Sequence, residues 1–122
     1  MSCLFCKIVA KEIPADILYE DDTVVAFRDL NPQAPNHLLV IPKQHIATIN
    51  ELTDADTATV GRLSLAAATI AKQLGFADSG YRTVMNCNQD GGQTVYHLHL
   101  HLLGGKAMGW PPYSATLKTA IN

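Results

Sequence analysis

The densest chemical signal in the chain is His97-Leu98-His99-Leu100-His101-Leu102, three imidazoles spaced two residues apart. On a β-strand successive side chains point to opposite faces, so the histidines share one face and the leucines the other. At roughly 3.3 Å per residue the imidazole row spans about 13 Å. The leucines can bury against a helix while the histidines face a cleft or solvent. Such a row serves as a polar strand face, as a metal site built from histidines at i and i+2, or as a nucleophile with titratable neighbours. Imidazole attacks phosphorus at neutral pH and leaves it again, which splits one hard displacement into two easier ones. Neighbours that titrate near neutrality, His97 and His101, can hold protons for the leaving group and for water. Nucleophilic use accounts best for the pattern.

Two further clusters stand out. Cys3-Leu4-Phe5-Cys6 can place two thiolates one helical turn apart, the usual half of a tetrahedral zinc site. The same spacing also describes two small apolar side chains packing one face of a short helix. Cys87 has no evident partner in the sequence and reads as structural. Ahead of the histidines runs Asp90-Gly91-Gly92-Gln93-Thr94. Gly92 lets the backbone come close to a ligand, and N–H groups near Gln93 and Thr94 suit phosphate oxygens. Alone, Gly-Gly between strands is more often just a hairpin turn.

These residues need a scaffold. With 122 residues, 48% apolar and 16% charged, the chain reads as one globular domain over 1–122. That apolar share is high for so small a monomer and hints at surface covered by a second subunit. The net charge of −2, with Lys and Arg scattered, argues against a nucleic-acid polymer as partner. Apolar stretches fall far short of the ~20 residues that span a bilayer, so no membrane partner is expected. The N-terminal Met-Ser-Cys-Leu-Phe-Cys-Lys does not read as a secretory signal, and together with the thiols this points to the cytoplasm.

The pattern predicts a short helix over Cys3–Ala10, stopped by Pro14, and strands over Ile17–Glu20 and Thr23–Arg28 around an Asp21-Asp22 turn. A loop over Asp29–Asn36 leads to a strand over His37–Pro42. One long helix is expected over Thr53–Gly75, with a capping box at Thr53 and a stripe of Val60, Leu63, Ala67, Ile70, Ala71 and Leu74. A strand over Tyr81–Asn86, a polar turn over Asn88–Gln93 and a strand over Val95–Leu103 complete an α+β fold with a mainly antiparallel sheet.

His97–Leu103 matches the His-φ-His-φ-His-φ-φ signature of the histidine-triad superfamily. More of the chain resembles its Hint branch, the histidine-triad nucleotide-binding proteins that act as nucleoside phosphoramidases. Those stretches are Phe5–Pro14, Tyr19–Asp29, Pro32–His45, and Asp90-Gly91-Gly92-Gln93 through Trp110-Pro111-Pro112. The resemblance implies a five-stranded sheet with one long and one short helix. It implies that His99 attacks the α-phosphorus of a purine nucleoside 5′-phosphoramidate, that His101 contacts the phosphate, and that His37 orients His99. It assigns Asp29 to the ribose hydroxyls and Asn86 to the sugar and phosphate. Gly92, Gln93 and Thr94 would meet the phosphate, and Phe5, Ile8, Ile13, Phe27 and Leu30 would form an apolar slot for the base. By periodicity alone those five are ordinary core residues, and Asp29 alone reads as the start of an Asx-turn. Some bacterial relatives with the Cys-x-x-Cys pair bind structural zinc through positions matching Cys3, Cys6, His45 and His97. A twofold homodimer joined along sheet edges is implied as well.

The fragile-histidine-triad branch, which hydrolyses dinucleoside polyphosphates, shares the nucleophile. Its claim is weakened by Gly104-Gly105 and Trp110-Pro111-Pro112, which resemble Hint. A galactose-1-phosphate-type nucleotidyltransferase typically ends its motif in Gln, where this chain has His101. A non-catalytic nucleotide-binding partner is the remaining alternative. The chain departs from the Hint pattern at Tyr113, which stands in place of Gly, and continues to Asn122.

Overall fold

Apolar residues at every position of Val24–Phe27 and Leu38–Ile41 require strands covered on both faces. A computed structural model, which describes residues 3–113, has that arrangement. Strands β1 (Ile17–Glu20), β2 (Val24–Arg28), β3 (Asn36–Pro42), β4 (Tyr81–Val84) and β5 (Leu100–Gly104) form one sheet in the order β1-β2-β3-β5-β4. Every neighbouring pair is antiparallel. Helix α2 (Thr57–Leu74) connects β3 to β4 and covers one face, where Val24, Ala26, Leu38 and Val40 meet Leu63, Ala67 and Ile70. Helix α1 (Leu4–Val9) covers the other face, where Phe5 and Ile8 meet Val25, Phe27, Leu39 and Ile41.

The leucine–histidine alternation decides which face does chemistry. Leu98, Leu100 and Leu102 are buried in the α2-side core, as the alternation predicts. His101 lies opposite Leu39 across the β3–β5 ladder, and His37 shares Leu39's parity, so both face the α1 side. The site is therefore on the α1 side of the sheet.

Several boundaries differ from expectation. The strand expected over Val95–Leu103 is a ladder only from Leu100 to Gly104. Extending the β3–β5 register would place Leu98 opposite Pro42, which has no N–H to donate. Leu98 N–H instead donates to the Ile46 carbonyl at 2.6 Å. The polar turn expected over Asn88–Gln93 contains a single-turn helix, α3 (Asn88–Gly91), ended by Gly92 at φ 82°. The first helix keeps within its expected bounds, but Lys11 at a left-handed φ of 63° follows its C-cap Ala10 before Pro14 is reached. The Thr53 capping box is present but closes a 3-10 turn over Asp54–Asp56, after which α2 begins. On α2 the stripe holds at Leu63, Ala67, Ile70 and Ala71, but Ala66 joins it and Leu74 is 37% exposed. The segment after Tyr113, where the Hint pattern is exceeded, lies outside the described residues. No helix among the described residues is long and apolar enough to cross a membrane.

Gly104 ends β5 between Asn36 of β3 and Tyr81 of β4. A Cβ there would run into the buried ring of Phe76, 2.6 Å from its Cε1. With the backbone held by ladders on both sides, neither partner can yield cheaply. Gly104→Ala is expected to cost about 1–3 kcal/mol by overpacking, read as a lower urea midpoint at an unchanged m-value.

Candidate active site and metal centre

His37, His97 and His99 are each held by a main-chain group, and those groups set which ring nitrogen carries hydrogen. A carbonyl only accepts, so the 2.7 Å contact of His99 Nδ1 with the His97 carbonyl places hydrogen on Nδ1. In the neutral ring the lone pair is then on Nε2. The Gln33 N–H donates to His37 Nδ1 at 2.9 Å, so neutral His37 carries its hydrogen on Nε2. His37 Nε2–H donates to His101 Nδ1 at 2.8 Å, which puts the hydrogen of a neutral His101 on Nε2. A relay of defined polarity thus runs from the Gln33 amide through two rings. Burial lowers the His37 pKa below its ordinary value, against the opposing pull of the nearby Asp29 carboxylate. His99 and His101 meet edge to face with ring centroids 5.0 Å apart.

Asp29 comes from the end of β2. Its side chain is 5% exposed, with Oδ2 3.4 Å from His37 Nε2 and Oδ1 accepting from the Asn31 N–H at 2.8 Å. The Asx-turn is thus real, and the carboxylate also borders the histidine relay. Beside it opens a cavity of about 220 Å³ lined in part by Phe5, Ile8, Ile13, Phe27, Asp29 and Leu30. Asp29 and the five residues expected to hold the base are therefore brought together, whereas Asn86 is not among those lining this cavity. Leu4, Leu39 and Val95, not singled out in the sequence, line the same cavity. Phe5 links slot to triad, packing edge to face on His99 at 5.3 Å between centroids.

His97 faces another partner set. Its Nε2–H donates to the Pro42 carbonyl at 2.8 Å, so its lone pair is on Nδ1. That atom lies 3.4 Å from Cys3 Sγ, 3.6 Å from Cys6 Sγ and 3.2 Å from His45 Nδ1, while Cys6 Sγ is 3.4 Å from His45 Nδ1. A tetrahedral zinc with bonds of ~2.0–2.1 Å to nitrogen and ~2.3 Å to sulfur has N–N edges of about 3.3 Å and N–S edges of about 3.5 Å. The four donors fit that figure. Burial, then the adjacent Cys3, push the Cys6 thiol above its ordinary pKa, and a bound cation would reverse that preference. Asp29, His37 and His101 also converge. That trio fits a metal poorly, because the Gln33 N–H keeps hydrogen on the His37 nitrogen that would have to ligate.

Two of the expected contacts meet other partners here. One ring nitrogen of His97 is held by the Pro42 carbonyl and the other faces the thiols. The Gln93 N–H, expected to meet phosphate, already donates to the Asn88 carbonyl at 3.0 Å. Thr94 is exposed beside Val95, and Gly92 is needed for its left-handed turn. Asn86 lies between β4 and α3, its backbone 3.7 Å from where a Gly91 Cβ would be. Cys87 is a free, half-buried thiol.

A family model described as HIT domain matches residues 10–108. The purine nucleoside phosphoramidase of Escherichia coli K12 is 52% identical over 106 residues, covering 87% of this chain and 89% of that protein. The HIT family hydrolase from Legionella pneumophila Philadelphia 1 superposes with a TM-score of 0.90 at 54% identity, covering 92% of this chain and 100% of that one. A Zn-bound histidine triad family protein from Mycobacterium smegmatis gives a TM-score of 0.75 at 27% identity, covering 100% of this chain and 85% of that one. Fold and site define a hydrolase of the histidine-triad type. The chain belongs to the HIT domain family.

The pKa of His37 is lowered chiefly by burial, and so is that of His97, where the neighbouring His45 and His99 add to the effect. On acidification the unfolded chain takes up these protons first, at the ordinary imidazole value of about 6.5. Stability is therefore full above that pH and falls as pH drops below it, until the lowered native values are reached. Urea midpoints measured from pH 7.5 to 5.0 should show that decline, and His37→Asn should flatten it.

Proposed function

We propose that the chain hydrolyses purine nucleoside 5′-phosphoramidates through a nucleotidyl group carried on His99 Nε2. The observation that carries this reading is the hydrogen bond from His99 Nδ1–H to the His97 carbonyl, which presents Nε2 as the lone-pair nitrogen. The E. coli relative, a purine nucleoside phosphoramidase, supports the substrate class.

The apolar slot takes the base, and Asp29 accepts from the ribose hydroxyls. Thr94 and the Gly92 turn meet the phosphate, with Asn86 between sugar and phosphate. His99 Nε2 attacks the α-phosphorus, and the P–N bond breaks with its electron pair leaving on nitrogen, which is protonated from solvent. The Nε2–H of His101 donates to a phosphate oxygen, its polarity held by His37. Water then cleaves the P–Nε2 bond, releasing nucleoside monophosphate and restoring the lone pair.

Cys3, Cys6, His45 and His97 hold a structural zinc. A quartet of protein ligands leaves no position open for substrate, so the metal supplies folding energy and fixes α1 to the sheet. Zinc in the M. smegmatis relative supports this assignment. The molecule forms one domain over 1–122, pairs as a homodimer along sheet edges, and works in the cytoplasm.

His99→Ala should lose phosphoramidase turnover by several orders of magnitude and form no covalent adduct, with nucleotide affinity largely kept. Near-normal hydrolysis of adenosine 5′-phosphoramidate by that variant would reject the mechanism, and faster turnover of a diadenosine polyphosphate by the native protein would reject the substrate. Chelation should lower the melting temperature before it slows the chemical step. Protein purified without chelators and free of stoichiometric metal would remove zinc from the scheme.

A further inference from the structure

Residues 93–99 carry the candidate nucleophile and one candidate metal ligand, yet none lies in a helix or strand. Main-chain order there has to come from elsewhere. Much of it comes from one side chain. Gln93 is 6% exposed, and its Oε1 accepts from the Asn88 N–H at 2.9 Å. Its Nε2 donates to the Ala47 carbonyl at 2.9 Å and to the Val95 carbonyl at 3.0 Å. A carboxamide has two N–H donors, and both are given to main-chain carbonyls. An anionic phosphate needs donors, so this buried side chain has nothing to offer one.

The positions of those carbonyls are informative. Ala47 follows His45 by two residues, and Val95 precedes His97 by two. The Leu98 N–H bond to the Ile46 carbonyl ties the same two segments a second time. At its other end Gln93 holds Asn88, which sits at a left-handed φ of 58°, through both its N–H and its carbonyl.

We propose that Gln93 is a positioning residue whose carboxamide locks α3, the His45 loop and the 94–99 segment into one body. The geometry of the Cys/His quartet and the orientation of the His99 ring are then set together. The activity arm of the test rests on the phosphoramidase reading, whereas the metal and exchange arms do not.

Gln93→Met keeps side-chain length and removes every polar contact. It is compared with native, zinc-loaded protein at a temperature where circular dichroism shows both folded. Zinc affinity, read by competition with a chromophoric chelator, should fall by about 10–100-fold. The kcat for adenosine 5′-phosphoramidate should fall at least about tenfold with KM within about twofold, the signature of a misplaced reacting group. A raised KM with unchanged kcat and unchanged zinc affinity would make Gln93 a substrate contact and overturn the proposal. So would lowered stability with kcat and zinc affinity both intact, which is a merely structural role. If the variant does not fold, hydrogen exchange of the native Gln93 side-chain amide decides: protection comparable to core amides supports the lock, and exchange at the rate of an exposed carboxamide overturns it. Native protein that binds zinc but fails to turn over the phosphoramidate would defeat the functional reading alone and leave the zinc and exchange results to judge Gln93.

Discussion

The hydrogen bond from His97 to the Pro42 carbonyl is the contact on which the rest of the site depends. Proline ends the β3–β5 ladder by lacking an N–H, yet its carbonyl remains available and receives a ring instead of a backbone amide. That substitution turns the His97 lone pair towards the two thiols and His45. It also leaves the His97 carbonyl to hold the next histidine of the row. One proline therefore gives neighbours of identical chemistry different partners, the thiols and His45 for His97 and a main-chain carbonyl for His99.

The same principle runs through the relay. None of the three backbone contacts on these rings involves a charged group: Gln33 supplies an amide, and His97 and Pro42 supply carbonyls. Backbone groups cannot titrate, so each ring takes the same tautomer whenever it is neutral. Burial reinforces this by disfavouring the imidazolium form of His37 and His97.

Much of this was legible in the chain. The leucine–histidine alternation assigned both faces correctly, because side-chain parity survives even where the ladder does not. The Cys3–Cys6 spacing and the resemblance brought together a quartet that converges in three dimensions. The extent of the last strand was not legible from its own residues, since what ends it is Pro42, more than fifty positions away. The side-chain contacts of Gln93 were hidden for a related reason. Its acceptors, Ala47 and Val95, are carbonyls, which every residue has and no residue type announces. The slot was recognisable only through resemblance, because Phe5, Ile8 and Phe27 obey the same burial rule as any core residue.

The site joins residues far apart in the sequence, and that has a consequence for when it can exist. Cys3 meets His97 across 94 positions, and Phe5 closes on His99 at the same separation. During synthesis Cys3 and Phe5 emerge before their partners 94 residues on, an interval of about 5–20 s at ~5–20 residues per second. Through that interval β1, β2, β3 and α2 can form their local contacts, while α1 has no histidine row to cover. A chain truncated before His97 would leave the Cys3 and Cys6 thiols without that ring and hold no His99, while Phe5 and Ile8 could still pack on β2 and β3.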